Sequence, residues 1–227
     1  MPYKTLLFDL DDTLFDFKAA EKYAISSLMK ELAVTPTEEN IQTYSQINQS
    51  FWNRFEKGLI KKDVLLKERF ETFFQRHQLE VNGNEMDIKF RSYLEKSHFL
   101  IEDSTNLLDS LFPDYDLYAV TNGVSKTQYR RLSDSGLDHY FKDVFVSEDT
   151  GFQKPMLEYF NYVFKRIPNF KAHNTLIIGD SLTSDILGGQ NAGIDSCWFN
   201  PHHLAKPAHI KPTYQITDLK ELTTILN

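Results

Sequence analysis

The sequence predicts an α/β protein, a doubly wound parallel sheet into which a small helical unit is inserted. Three observations predict this fold class. Short apolar runs that end in polar residues alternate with helix-like segments, the pattern of a parallel sheet covered on both faces. A long stretch after the first run has helical periodicity and no strand pattern. The 227 residues, 41% of them hydrophobic, suffice for one large domain with a smaller module.

Five apolar runs are predicted to form the strands of a Rossmann-like sheet. Such sheets bind ligands at the carboxyl ends of their strands, so the polar residues that follow each run are candidates for a site. The runs are residues 5–8, 117–120, 144–146, 176–178 and 196–199, and helices are expected at about 125–135, 156–165 and 182–192.

Residues 17–98 are predicted to form a helical cap inserted into a catalytic core of residues 1–16 and 99–227. Apolar residues recur at helical spacing from Phe17 to Leu28 and from Tyr44 to Phe55. Residues 35–38, Thr-Pro-Thr-Glu, are interpreted as a capping box with Pro36 at the first helical position. Further helices are expected at 63–77 and 85–97.

Composition narrows the functional classes. The net charge of −7 argues against a nucleic-acid-binding protein, because such proteins carry a basic patch for the phosphate backbone. The single cysteine, Cys197, excludes an intrachain disulfide and is expected in the core. No signal-peptide pattern or membrane-length apolar run is present, so we expect a cytoplasmic protein without membrane contact. We expect a monomer or weak homo-oligomer.

The most informative motif directly follows the first strand. Asp9, Asp11 and Thr13 form a D-x-D-x-T pattern after an apolar run, and two carboxylates there suit a divalent cation and a carboxylate nucleophile. The pattern resembles the first motif of the haloacid dehalogenase superfamily of phosphohydrolases. Three further segments resemble the remaining motifs of that superfamily: Thr121-Asn122, Lys154-Pro155, and the stretch from Gly179-Asp180 to Asp185.

The resemblance implies a role for each of these residues. Asp9 would be the nucleophile that forms an aspartyl-phosphate, and Asp11 the general acid and base. Lys154 would offset the charge repulsion between Asp9 and a phosphate dianion, about 4 kcal/mol for two unit charges 4 Å apart at an effective dielectric of 20. Mg²⁺ would be bound by Asp9, the backbone carbonyl of Asp11, and Asp180. Thr121, Asn122 and Lys154 would bind the phosphoryl group, and Asp185 would hold Lys154 or a metal-bound water.

Each motif also has an ordinary structural interpretation. Asp11 is a common residue type in turns, and Asp180 and Asp185 are acidic residues of the kind favoured at helix starts. Thr121-Asn122 is compatible with an ordinary strand-to-helix turn. Their joint occurrence in this order, each after an apolar strand, favours the functional interpretation. By contrast, His202 and His203 lie between prolines and are expected to be solvated.

The resemblance extends to one family within the superfamily, the YjjG-like pyrimidine 5′-nucleotidases. It implies a phosphomonoester as partner, specifically pyrimidine nucleoside monophosphates. Phe51, Trp52 and Phe55 are candidates for stacking on the base, although aromatic residues at helical spacing more often serve packing. Sugar-phosphate phosphatase or phosphomutase activity is the serious alternative, since it uses the same core residues. A dehalogenase would not need Asp11, no lysine of the helical stretch is marked out for a phosphonate hydrolase, and a binding protein would be expected to lack part of the set. The segments that carry this resemblance are residues 121–123, 128–132, 135–137, 147–151, 179–181, 185–193 and 197–200.

Overall fold

The structure is a computed structural model that describes residues 3–226. The described chain divides into two compact units. One unit comprises the chain up to Asp16 together with the part from Leu100 onwards, and the other is Phe17–Phe99.

The first unit contains a sheet of six parallel strands in the order β3-β2-β1-β4-β5-β6. The predicted α/β fold class is confirmed. All five predicted strands are present, and the sixth was missed because its three residues, Tyr-Gln-Ile, offer no apolar run. The strands are β1 (Thr5–Phe8), β2 (Asp116–Thr121), β3 (Asp143–Val146), β4 (Thr175–Gly179), β5 (Asp195–Phe199) and β6 (Tyr214–Ile216).

Helices cover both faces of the sheet and make up the second unit. Within residues 3–226, no helix has the length and apolar character needed to cross a bilayer. The predicted helix at 182–192 is divided into a turn of π-helix, Leu182–Ile186, and an α-helix. The α-helices are α1 (Phe17–Glu31), α2 (Glu38–Glu56), α3 (Lys62–Gln75), α4 (Gly83–Leu94), α5 (Ser104–Leu111), α6 (Ser125–Ser135), α7 (Ser147–Thr150), α8 (Leu157–Phe164), α9 (Leu187–Ala192) and α10 (Glu221–Leu226).

Strand β1 contributes to two apolar cores because alternate side chains of a strand point to opposite faces. Leu6 and Phe8 are fully buried in the cluster that includes α5 and α10. Leu7 is fully buried in the cluster that includes α8. The sheet is therefore enclosed on both sides, which leaves its strand ends as the place for a ligand.

The second unit is held by an aromatic core and a buried polar chain. Tyr44 lies within 5.6 Å, between ring centroids, of three phenylalanines of α3 and α4. In the polar chain, Asn48 donates to Glu21, and Arg69 donates to both Asn48 and Asp87. These contacts fix α1 to α4 against one another.

The predicted capping box at residues 35–38 was wrong by two residues. Thr37, not Thr35, is the N-cap of α2, and its hydroxyl accepts a hydrogen bond from the Asn40 amide at 3.2 Å. Pro36 therefore precedes the cap rather than occupying the first turn. Thr35 still contributes, since its carbonyl accepts from the Asn40 side chain.

The strand register sets the level of the first catalytic candidate. Phe8 pairs with Ala119 on β2 and with Ile178 on β4. Asp9, the next residue, therefore lies level with the ends of three adjacent strands. Because the chain passes from β1 through β2 to β3 on one side and then crosses to β4 on the other side of β1, this edge is the topological switch point where ligands of open α/β sheets bind.

Candidate active site

The four predicted motifs meet at the carboxyl edge of the sheet. Asp9 directly follows β1, Thr121 ends β2, and Asp180 directly follows β4. Lys154 lies in the turn before α8 and is almost completely buried. Asp9 and Asp180, 171 positions apart in the sequence, thus converge at one edge.

The Lys154 ammonium lies at the centre of this constellation. Its Nζ donates to Asp9 Oδ1 at 2.6 Å, to Asp185 Oδ1 at 2.6 Å and to the Val120 carbonyl at 2.7 Å. All three ammonium protons are therefore used. The backbone of Lys154 is fixed as well, because the Asn122 side-chain amide donates to its carbonyl and accepts from its N–H, each at 2.9 Å.

Three carboxylates surround this single cation. One carboxylate oxygen each from Asp9, Asp180 and Asp185 lies within 4.8 Å of the other two. Burial raises the pKa of Asp9 to about 8, because the attraction of Lys154 offsets only part of the desolvation and Asp185 adds repulsion. Burial also raises the pKa of Asp180, and its carboxylate neighbours raise it further. Burial alone would lower the pKa of Lys154. The neighbouring carboxylates of Asp185 and Asp9 outweigh this effect and raise the pKa of Lys154 above its ordinary value.

The loop after β1 folds Thr13 back onto Asp9. The amides of Leu14 and Phe15 both donate to the Leu10 carbonyl, at 2.9 and 2.8 Å. Thr13 Oγ1 then donates to Asp9 Oδ2 at 3.3 Å and accepts from the Asp180 amide at 3.1 Å. Thr13 therefore orients the Asp9 carboxylate and links the end of β1 to the end of β4.

Thr121 has its acceptor positions filled by neighbouring donors. Its Oγ1 accepts from the Gly123 amide at 3.0 Å and from Gln128 Nε2 at 2.9 Å. A hydroxyl oxygen accepts two such bonds, so the remaining capacity of Thr121 is its O–H donor. Gly123 permits this packing, since a Cβ there would lie 2.7 Å from Gln128 side-chain atoms.

Asp11 is directed toward α6 by two donors. Gln128 Nε2 donates to Asp11 Oδ2 at 2.8 Å, and Arg131 Nη1 donates to Asp11 Oδ1. Arg131 Nη1 also lies 3.3 Å from Gln128 Oε1, which fixes the orientation of that amide. The Arg131 guanidinium stacks 4.3 Å from the centre of the Phe15 ring.

Gln128, Arg131 and Thr13 were assigned no role from the sequence. A signal for the first two was present: α6 buries Thr127, Gln128 and Arg131 beside Leu132, so its inward face is largely polar. A helix packed on a sheet normally buries an apolar stripe, so polar residues on that face indicate a function. The expected ordinary residues behave as predicted, with Cys197 buried and His202 and His203 exposed.

Comparison with known proteins identifies the family. Residues 6–199 match the family model of the haloacid dehalogenase-like hydrolases, so the chain belongs to that family. It is therefore a hydrolase, and the prediction of an enzyme is confirmed.

Three similar proteins align along nearly the full chain. The HAD-hydrolase YfnB of Bacillus subtilis is 52% identical, over 99% of this chain and 96% of the relative. The pyrimidine 5′-nucleotidase PynA of Streptococcus pneumoniae is 41% identical, over 100% and 96%, and the pyrimidine 5′-nucleotidase YjjG of Escherichia coli is 32% identical, over 100% and 99%. The predicted resemblance to YjjG-like proteins is confirmed. A more distant relative, 26% identical over 87% of this chain, is a glyceraldehyde 3-phosphate phosphatase of Methanothermobacter thermautotrophicus.

The crystal structure of YfnB has the same fold, with a TM-score of 0.96, 51% sequence identity and full coverage of both chains. That crystal structure contains magnesium and records interdomain movement in YfnB. The cluster of Asp9, Asp180 and Asp185 in the present chain has the hard oxygen ligands that magnesium prefers.

Proposed function

We propose that this protein is a Mg²⁺-dependent phosphomonoesterase that acts through an aspartyl-phosphate on Asp9, with pyrimidine nucleoside monophosphates as substrates. The observation that carries the proposal is the buried Lys154 ammonium, 2.6 Å from both Asp9 and Asp185. A cation in this position, beside the attacking carboxylate, can offset the repulsion between that carboxylate and a phosphate dianion.

Charge balance supports a divalent cation at this site. Asp9, Asp180 and Asp185 carry three negative charges when ionised, against one positive charge on Lys154. A phosphate dianion would add two more. Asp9, Asp180 and the backbone carbonyl of Asp11 would hold Mg²⁺, with Asp185 assigned to Lys154. When bound, Mg²⁺ supplies charge stabilisation to the phosphoryl oxygens and allows both metal-binding carboxylates to stay ionised.

The first step would be attack by an Asp9 oxygen on phosphorus. Lys154 and Thr13 fix the two Asp9 oxygens, which orients the carboxylate without substrate. The bond from Asp9 to phosphorus forms as the ester P–O bond breaks. The leaving alkoxide takes a proton from Asp11 and departs as the alcohol.

The second step would regenerate the enzyme. Asp11, now a carboxylate, removes a proton from a water molecule, and that water oxygen attacks phosphorus. The bond between Asp9 and phosphorus breaks, inorganic phosphate forms, and Asp9 returns as a carboxylate. The Thr121 hydroxyl and the backbone N–H of Asn122 would donate to phosphoryl oxygens in both steps. The Thr121 assignment is supported by its two filled acceptor positions.

The substrate assignment rests on the relatives and on the helical unit. PynA and YjjG, which align along the full chain, are pyrimidine 5′-nucleotidases. The unit Phe17–Phe99 would serve as a cap that excludes water and selects the leaving group. Of the three aromatic candidates for base stacking, Phe51 and Phe55 are buried in a cluster with Leu65. Trp52 is half-buried, so it is the candidate whose side chain keeps exposed surface on which a base could stack.

A second candidate function is a sugar-phosphate or other small-metabolite phosphatase. The distant glyceraldehyde 3-phosphate phosphatase relative favours it, since the same core chemistry serves any phosphomonoester. A panel of kcat/KM values for UMP, dUMP, dTMP, AMP, glucose 6-phosphate and glyceraldehyde 3-phosphate separates the two candidates. The proposal expects the pyrimidine nucleotides to lead, with activity abolished by EDTA and restored by Mg²⁺. Sugar phosphates ahead of every pyrimidine nucleotide would overturn the nucleotidase assignment, and full activity after verified metal removal would overturn the metal dependence.

A further inference from the structure

We infer that Gln128 and Arg131 of α6 are positioning residues for the acid–base carboxylate Asp11, and that Gln128 couples Asp11 to the phosphate-binding hydroxyl of Thr121. This inference rests on the proposed phosphatase function and adds two residues to its machinery. The pair lies one helical turn apart on the buried face of α6, where three-residue spacing brings both side chains to the same place.

The two donors define the direction of the Asp11 carboxylate. Gln128 Nε2 binds one oxygen at 2.8 Å, and Arg131 Nη1 binds the other. Asp11 sits on a loop, and its side chain keeps 28% of its surface exposed, so packing alone would leave it free to rotate. The pair from α6 therefore supplies an orientation that the loop itself does not.

The Gln128 amide also joins two chemical functions. The same Nε2 donates to Asp11 Oδ2 and to Thr121 Oγ1, at 2.8 and 2.9 Å. Because the amide has two N–H donors, it can make both bonds at once. Arg131 Nη1 beside Gln128 Oε1 keeps the amide in the orientation with nitrogen toward Asp11. The acid–base group and the phosphate ligand are thus held in a fixed relation.

The burial of the charged Arg131 side chain is not explained by folding alone. The side chain is 1% exposed, and among the described residues its Nε and Nη2 have no hydrogen-bond partner. Burying a guanidinium with unmade hydrogen bonds is costly, and an apolar side chain of similar length would avoid that cost. A role in holding Asp11 accounts for the retention of the charge.

The chemistry explains why orientation matters at Asp11. In the first step its proton must reach the leaving oxygen, and in the second its carboxylate must face the attacking water. General acid–base catalysis contributes about 10²–10⁴-fold and depends on geometry within hydrogen-bonding reach. An ester with a good leaving group needs no proton in the first step, so its phosphoryl transfer should not depend on how Asp11 is held.

The test compares two leaving groups in single turnover, with enzyme in excess and Mg²⁺ present. Release of uridine from UMP requires a proton, whereas release of p-nitrophenolate from p-nitrophenyl phosphate does not. We expect Arg131→Met to slow uridine release about 10- to 100-fold and nitrophenolate release less than about threefold. Arg130→Met is the matched control, because Arg130 is exposed and forms an ion pair with Asp134 on the same helix; it should change neither rate.

Two additional variants separate positioning from a structural effect. If Arg131 acts through Asp11, the double variant Asp11→Asn/Arg131→Met should release uridine no more slowly than Asp11→Asn alone. Gln128→Met should show the same leaving-group selectivity and should also raise KM, since it loses the bond to Thr121. This variant keeps the test decisive if Arg131→Met does not fold.

Equal slowing of both substrates, or multiplicative losses in the double variant, would overturn the positioning role while leaving the proposed function intact. A wild-type enzyme that releases neither uridine nor nitrophenolate would overturn the proposed function, and this inference with it.

Discussion

At the scale of single residues, the site is organised around one buried cation. Lys154 satisfies three acceptors, two of them carboxylates and one a strand carbonyl. A buried ammonium is retained only when its charge and its protons are all matched, and here they are. The same contacts fix the carboxylate that is proposed to attack phosphorus.

Replacing Lys154 by Met tests the role of this cation. Removing one partner of a buried ion pair leaves Asp9 and Asp185 without compensation, so we expect the free energy of unfolding to fall by about 3–5 kcal/mol. We also expect kcat to fall by about 10²–10³-fold and KM to rise, since the ammonium contacts both ground state and transition state. Denaturant unfolding and steady-state kinetics measure the two effects.

Lys142→Met serves as the control for this variant, because Lys142 forms an exposed ion pair with Asp116. Such a pair contributes little, so the control should lie within about 0.5 kcal/mol of wild type with unchanged kinetics. Unchanged activity in Lys154→Met would contradict the assigned role.

Part of the candidate site could be predicted from the sequence because several of its residues directly follow apolar runs. Asp9, Thr121 and Asp180 lie at strand ends that apolar patterning located correctly. The roles of Gln128 and Arg131 could not be predicted from the sequence, because they depend on contacts with Asp11, which lies more than a hundred positions away. Pairings between distant parts of the chain leave no local periodicity.

At the scale of elements, the close approach of α6 to the end of β2 depends on Gly123. A Cβ at this position would lie 2.7 Å from Gln128 side-chain atoms, well inside normal contact distance. Any larger residue must therefore displace the Gln128 amide from Asp11 and Thr121.

Gly123→Ala is expected to lower kcat/KM for UMP about tenfold or more, because displacement of the amide costs positioning of both groups. Protein stability should fall by only about 1–2 kcal/mol, the usual range for a modest steric misfit. Steady-state kinetics and thermal unfolding test this. Wild-type kinetics with a crystal structure that places the Gln128 amide unmoved would refute the expectation.

Sequence patterns failed to predict the local backbone geometry where side-chain contacts determine it. The predicted helix at 182–192 begins as π-helix, where Ser181 caps the Ser184 amide and Asp185 turns its carboxylate to Lys154. Functional sites often adopt such local geometry, and π-helical turns are frequent there. Sequence periodicity indicated the helix but not this turn.

At the scale of the whole molecule, the insertion of α1 to α4 into the α/β core accounts for the two compact units. Helical periodicity without strands predicts a helical insertion at residues 17–98. The contribution of these helices to substrate specificity could not be predicted from the sequence, since aromatic residues at helical spacing are compatible with both packing and base stacking. Burial of Phe51 and Phe55 leaves Trp52 as the residue to test.

Trp52→Ala should lower kcat/KM for pyrimidine nucleotides by about one to two decades while sparing p-nitrophenyl phosphate. Stacking of a base on an aromatic ring contributes about 1–3 kcal/mol, and a small aryl ester does not depend on it. Tyr23→Ala, which removes an exposed aromatic residue elsewhere in the helical unit, is the control. Equal losses for both substrates would assign Trp52 to packing instead.

The proposed mechanism requires that Asp9 becomes phosphorylated during turnover. The most direct measurement is acid quenching of the enzyme during steady-state hydrolysis of UMP carrying a ³²P-labelled phosphate, followed by peptide mapping of the label. We expect acid-stable label on the peptide that contains Asp9, none in Asp9→Asn, and background turnover by that variant. Active wild-type enzyme whose label maps elsewhere, or near-normal turnover by Asp9→Asn, would contradict it.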